Sequence, residues 1–365
     1  MTARAPGAPG ALEAPGDAAP GDAAGRVLRL ALGPVWLCVT PSTVVVVAVV
    51  VVLLLVAGCG ALMAGTIRLS AGEVVGALVG DGRGRAGRVV WGIRLPRLVT
   101  AVCVGAALGA SGCVFQSVSR NALGSPDVIG FTTGAATGAT AQIVLVGGGG
   151  LATSLAAVGA GLATAVVVYL LARRRRRTGG YRLVLIGIGV SGMLSAMTTI
   201  LLARSDLDLA SQAQVWLAGS LAARTWEHAG IGAVGVVVLV PVLAVFARRL
   251  SVMEMGDDQA EGLGVATERT RLVVMLVGVV LAASAVAAAG PIAFVALAAP
   301  QITRRLTGVA GVQVLASALV GSLLLVVADL VSVNLPSRLA VPVGLVTGVI
   351  GGLYLLWVLS AKEDV

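Results

Sequence analysis

Runs of Val, Leu, Ala and Gly recur along this chain, broken by short polar stretches that hold most of its charge. Ten such runs stand out, at 43–64, 95–115, 128–147, 151–172, 182–203, 229–247, 271–289, 291–303, 312–333 and 340–360. All but the eighth reach the ~18 residues that mark a membrane span. Open backbone cannot face lipid, so the spans are predicted to be helices. The pattern therefore predicts an all-α, polytopic membrane protein with about ten transmembrane helices. The eighth run is too short to cross alone and follows Gly290-Pro291, so a broken or re-entrant segment is expected there.

Residues 1 to about 25 are rich in Ala, Pro and Gly and are expected to be disordered. The division read here is a disordered cytoplasmic tail, 1–30, and a transmembrane domain, 31–365. The first apolar run begins only near Thr43, which argues against a signal peptide.

Composition agrees with the pattern. Hydrophobic residues make up 58% of the chain and charged residues 12%, against about 25% charged in soluble domains. Mean hydropathy is +1.00. Abundant Gly and Ala suit helices that approach closely inside a bilayer. The net charge of +9 does not indicate nucleic acid, because the arginines cluster in loops between spans. Placing the N-terminus in the cytoplasm puts Arg120, Arg173 to Arg177, Arg182, Arg248, Arg249, Arg269, Arg271, Arg304 and Arg305 inside, as the positive-inside rule asks. An even number of spans returns the C-terminus to the same side. The four cysteines, Cys38, Cys59, Cys103 and Cys113, lack metal-like spacing and read as small buried hydrophobes.

One loop breaks the charge rule. Arg83, Arg85, Arg88, Arg94 and Arg97 fall outside, before the second span. Arg94 and Arg97, in RLPR, are also predicted at a helix N-terminus, where the macrodipole disfavours a cation. Three readings stand at this point: a docking site for acidic groups of an external partner, anchoring to lipid headgroups, or a topology that differs here from the one read.

Much chemistry is absent. The only lysine is Lys362, so no phosphate-binding GxxxxGK[ST] loop exists. The only histidine is His228, and no His/Cys/Asp cluster has metal-ligand spacing. No cofactor and no protein-bound metal are expected. The spans are nearly free of ionisable groups, which argues against proton-coupled transport. Asp329 is the clearest exception and reads as an interfacial or helix-paired carboxylate rather than a relay. The chain reads as a conduit without its own engine.

MEMGDDQAEGLGVATERTR, Met253 to Arg271, stands apart, with four acidic groups between Glu254 and Glu261. Asp258 is expected to cap a short helix, with Glu261 three residues later and Gly264 as a C-terminal stop. Two helical turns need a surface to pack on. The segment is either a coupling element facing a cytoplasmic partner or an ordinary solvated loop.

Long blocks then carry a resemblance. RLPRLVTAVCVGAALGASGCVFQSVSRNALGSPDVIG (94–130), EMGDDQAEGLGV (254–265), GPIAFVALAAPQITRRLTG (290–308) and ADLVSVNLPSRLAVPVGLVTGVIGGLYLL (328–356) stand in order. The chain resembles the iron-siderophore and cobalamin importer permeases, with YRLVLIGIGVSGM (181–193) most similar to ferric enterobactin permease subunits. The resemblance implies a BtuC-like permease fold in a bacterial cell membrane. It implies a second permease subunit, identical or paralogous, two ATP-binding subunits and an extracytoplasmic substrate-binding protein. The cargo implied is a ferric siderophore, catecholate in type, with cobalamin or haem as the same-fold alternative. ATP hydrolysis would belong to the partner, so the chain itself is not an enzyme. Residues implied to contact the ATPase are Glu254, Met255, Gly256, Asp257, Asp258, Ala260, Leu263 and Gly264. Those implied to dock the binding protein are Arg94 and Arg97, with Arg338 as the stand-in for an external arginine that some relatives carry just after the counterpart of Asp329, where this chain has Ser332-Val333. Two departures are Asn121-Ala122-Leu123, where the family often has Asn-Pro-Leu, and Pro300-Gln301, where it often has Pro-His.

Overall fold

The computed structural model describes residues 28–32, 35–65, 67–80, 84–147, 150–174, 177–178, 180–335 and 341–360. A first unit, Met1–Pro41, holds an antiparallel pair, β1 (Leu28–Leu32) and β2 (Val35–Val39). The disorder expected for residues 1–25 lies outside the described residues.

The second unit, Ser42–Val365, is helical apart from the two-residue pair β3 (Arg173–Arg174) and β4 (Arg177–Thr178). Its helices are α1 (Pro41–Met63), α2 (Ala71–Val79), α3 (Arg85–Val89), α4 (Leu95–Ser119), α5 (Phe131–Ala141), α6 (Leu151–Ala172), α7 (Gly180–Ala203) and α8 (Leu207–Leu217). They continue with α9 (Trp226–Met253), α10 (Asp257–Gly262), α11 (Thr267–Ala289), α12 (Val295–Thr307), α13 (Val314–Asn334) and α14 (Val343–Ser360). Each of the ten apolar runs coincides with a helix. Among the described residues, seven helices are long and apolar enough to cross a membrane, and Phe131–Val146 and Val343–Tyr354 are shorter apolar helices.

The second run is longer than its pattern suggested. A π-helical turn, Val90–Arg94, joins α3 to α4, so one helical stretch runs from Arg85 to Ser119. Arg94 and Arg97 therefore lie inside a continuous helix, not at its N-terminus, and the dipole argument does not apply to them. The wider turn sits just before Pro96, whose ring would otherwise strike the preceding helical carbonyl.

α4 is the central member, packed against α9, α11, α12 and α13. Against antiparallel α13 it runs at backbone distance. A Cβ added to Gly105 or Gly109 would overlap the carbonyl oxygens of Gly321 and Ser317, so only Gly permits the approach. Ser322 Oγ donates to Val102 O at 2.8 Å across the same seam. α1 is largely bare of protein neighbours, as suits a lipid-facing helix. Cys113 is buried as expected, but Cys59 on α1 is exposed.

The broken segment expected near Gly290 is present. α11 stops at Ala289, residues 290–294 are non-helical, and α12 has only 13 residues. Phe294 takes a left-handed conformation, φ 68°. Part of the break is enclosed: Gly290, Pro291 and Ile292 are buried, Gly219 lies against the Pro291 carbonyl and Gly351 against Phe294, while Ala293 is exposed. His228, the only histidine, hydrogen-bonds Thr225 Oγ1 at 3.0 Å and helps cap α9.

Candidate functional site

The acidic segment lies at the end of the bundle where α4 finishes. α9 ends at Met253, and α10 occupies only Asp257–Gly262. The capping expectation needs correction: Gly256 holds the capping position, which puts Asp258 in the first turn. Glu261 does not reach back to a cap; Thr267 Oγ1 donates to its carboxylate at 2.6 Å. The stop at Gly264 is as expected. Val265 N donates to Ala260 O and Gly264 N to Glu261 O, both at 2.9 Å, with Gly264 at φ 82°. Those two bonds define a Schellman ending.

The eight residues assigned to this segment divide by direction. Ala260 is fully buried. Glu254 accepts from Arg304 Nη2 at 2.9 Å. Asp257 accepts from Arg271 Nη2 at 2.9 Å on each oxygen, and from Arg120 Nη2. Met255 and Leu263 face out, 63% and 68% exposed, and Asp258 and Gly264 are exposed beside them. Gly256 supplies the turn between α9 and α10.

The partners of these acids were read from sequence only as loop arginines. Arg120 terminates α4 in a left-handed conformation, φ 49°, and its Nε donates to Met253 O at 3.1 Å. Arg271, on α11, also donates to Glu268 at 3.2 Å and is almost fully buried. Nothing local in the sequence announces the Arg120–Asp257 pair, whose members lie 137 positions apart. The two departures from the family pattern also meet here: Gln301 Nε2 donates to Ala122 O at 2.8 Å.

The opposite end of α4 holds the outer arginines of the sequence reading. Arg94 is only 9% exposed, and its guanidinium donates to the carbonyls of Leu62 and Ile67 around the end of α1. A docking role needs an accessible cation, and this geometry instead ties α1 to α4. Arg97 pairs with Asp329 of α13 through Nε, at 2.9 and 3.2 Å, and Nη2, at 2.7 Å. Asp329 is thus the helix-paired carboxylate of the two readings offered. Both arginines line a cavity of about 240 Å³ with Gly65, Leu98 and Val333. Arg338 lies outside the described residues. Among the described residues, no group of His, Cys, Asp and Glu could hold a metal ion.

Comparison with known proteins sets this geometry in context. The model of the FecCD transport family matches residues 53–361. The chain belongs to the FecCD transport family. It is 44% identical over 311 residues to the ferric enterobactin transport system permease protein FepG of Escherichia coli, covering 85% of this chain and 93% of that one. It is 36% identical to a siderophore transport system permease protein, YfhA, of Bacillus subtilis, covering 76% and 82%. The cobalamin import system permease protein BtuC of Halobacterium salinarum is 34% identical, covering 75% and 74%. A solved metal-chelate type ABC transporter in an inward-facing conformation superposes with a TM-score of 0.76 at 30% identity, covering 88% of this chain and 99% of that one. The fold is therefore the BtuC-like permease fold, and the chain is a multi-pass membrane transport subunit, not an enzyme.

Proposed function

We propose that this FecCD permease carries a ferric siderophore of the catecholate type across a bacterial cell membrane, as the membrane subunit of an ATP-driven importer. The 44% identity to a ferric enterobactin permease over most of both chains carries the reading. Iron enters as cargo inside the chelate. A second permease subunit, identical or paralogous, completes the pathway, and two ATP-binding subunits dock at one end.

The docking face proposed for the ATP-binding subunits is the exposed side of residues 254–264, with Met255 and Leu263 as its apolar contacts. A short helix flanked by two large exposed apolar side chains among charged residues suits a protein partner better than water. This end is the cytoplasmic one, with both termini on the same side; the arginine distribution supports that orientation. The rim at the other end, with Arg97, receives the substrate-binding protein, and Arg338 is assigned to the same docking from its position in the sequence alone. There Arg94 shapes the rim from beneath, and Arg97 steers docking in exchange with Asp329.

Uptake in cells lacking the chain tests the substrate. Labelled ferric catecholate, ferric hydroxamate, haem and cobalamin are compared, with the intact gene restored in parallel. Selective loss of catecholate uptake is the expected result. Selective loss of cobalamin or haem uptake would overturn the substrate assignment while leaving the family intact.

A further inference from the structure

Resting on the reading of residues 254–264 as the coupling segment, we propose that Arg120 and Arg271 are its positioning residues. They hold α10 through Asp257, so that load on its exposed side chains passes directly into α4 and α11.

The geometry is a clamp around one carboxylate. Arg271 reaches both oxygens of Asp257 at 2.9 Å from α11, and its side chain is 6% exposed. A guanidinium so buried needs a paired charge, and Asp257 and Glu268 provide it. Arg120 approaches from the other side, at the end of α4. Its left-handed backbone is uncommon for a side chain of this size. In that conformation one guanidinium bonds the last carbonyl of α9 through Nε and Asp257 through Nη2. Three helices thus converge on a six-residue helix too short to hold itself in water. Asp257 faces this clamp, while Met255 and Leu263 are exposed, which separates holding the segment from presenting it.

The two roles are separable in the assembled importer, reconstituted in vesicles with its ATP-binding subunits and binding protein. Arg120→Ala is compared with the pair Met255→Ser and Leu263→Ser. Retention of the ATP-binding subunits, ATP hydrolysis, and substrate delivered per ATP are measured separately. Arg120→Ala is expected to keep the subunits bound and hydrolysing. Delivery per ATP falls roughly tenfold, equivalent to about 1.4 kcal/mol of lost coupling. The apolar pair instead releases the ATP-binding subunits. Unchanged delivery per ATP in Arg120→Ala, whose partly exposed side chain is not needed to fill the core, overturns the clamp. Release of the subunits by Arg120→Ala also overturns it, since Arg120 would then contact the partner itself. Full retention and transport in the apolar pair overturns the parent reading of the segment instead.

Discussion

Arg97 and Asp329 stand eight residues along α4 and α13 from Gly105 and Gly321, on one antiparallel seam, so an ion pair closes the line along which the two backbones touch. The pair is lopsided: the aspartate side chain is 6% exposed and the arginine 26%. Removing the arginine strands a buried carboxylate, whereas removing the carboxylate leaves a cation that can reach water. Arg97→Gln is therefore expected to cost more stability than Asp329→Asn, with a coupling of about 0.5–3 kcal/mol between them. A double-mutant cycle on thermal unfolding in detergent measures both; equal single costs and no coupling would remove the pair's structural role.

The seam itself makes a sharper forecast. A methyl group at Gly105 or Gly109 meets carbonyl oxygen on α13, while one at Gly76 in α2 meets nothing. Gly105→Ala is expected to destabilise by about 1–3 kcal/mol. Gly76→Ala is expected to stabilise by about 0.5–1 kcal/mol, since alanine is the better helix former. Thermal unfolding of the two single variants reads opposite signs if the seam is as close as described.

Gly264 isolates a backbone effect. Its left-handed φ of 82° ends α10, yet its surroundings have room for a methyl group. Gly264→Ala should cost about 1–2 kcal/mol for conformation alone. Hydrogen exchange at the Val265 amide, which bonds Ala260 O, is the local readout. Protection unchanged from wild type would mean that the ending tolerates another backbone conformation.

Acid should loosen α2. Ser70 and Glu73 form a reciprocal cap, the Ser70 amide donating to the Glu73 carboxylate at 2.8 Å. That amide, then the Ser70 hydroxyl, hold the Glu73 carboxyl below its ordinary value of 4.5. A depressed folded value means the cap contributes fully above pH 4.5 and is lost as pH falls through the lower folded value. Protection of the Ser70 amide should therefore drop in that acid window, and Glu73→Gln should abolish the dependence.

What the sequence made legible follows period and punctuation. All ten apolar runs became helices, and the Gly290-Pro291 break and the Gly264 stop fell where residue chemistry placed them. Edges were harder, because charge was read as the end of a helix. Arg94 and Arg97 pointed to a helix start, but the carbonyls of Leu62 and Ile67 and the carboxylate of Asp329 satisfy them inside one. The clamp on Asp257 was out of reach for a different reason. Arg120 comes from α4, far away in sequence, and although Arg271 is only 14 positions from Asp257, that spacing does not encode a contact made when the helices assemble.

Residues 290–294 carry a consequence for biosynthesis. Helix α12 rises only about 20 Å, short of a hydrocarbon core of about 30 Å, and the non-helical residues before it need shelter from lipid. Part of that shelter is Gly219, already translated, which lies against the Pro291 carbonyl; another part is Gly351 of α14, which lies against Phe294. A chain emerging N-terminus first presents the break some fifty residues before its second wall exists. The enclosure of the break seen here is therefore complete only once the last helix has been made.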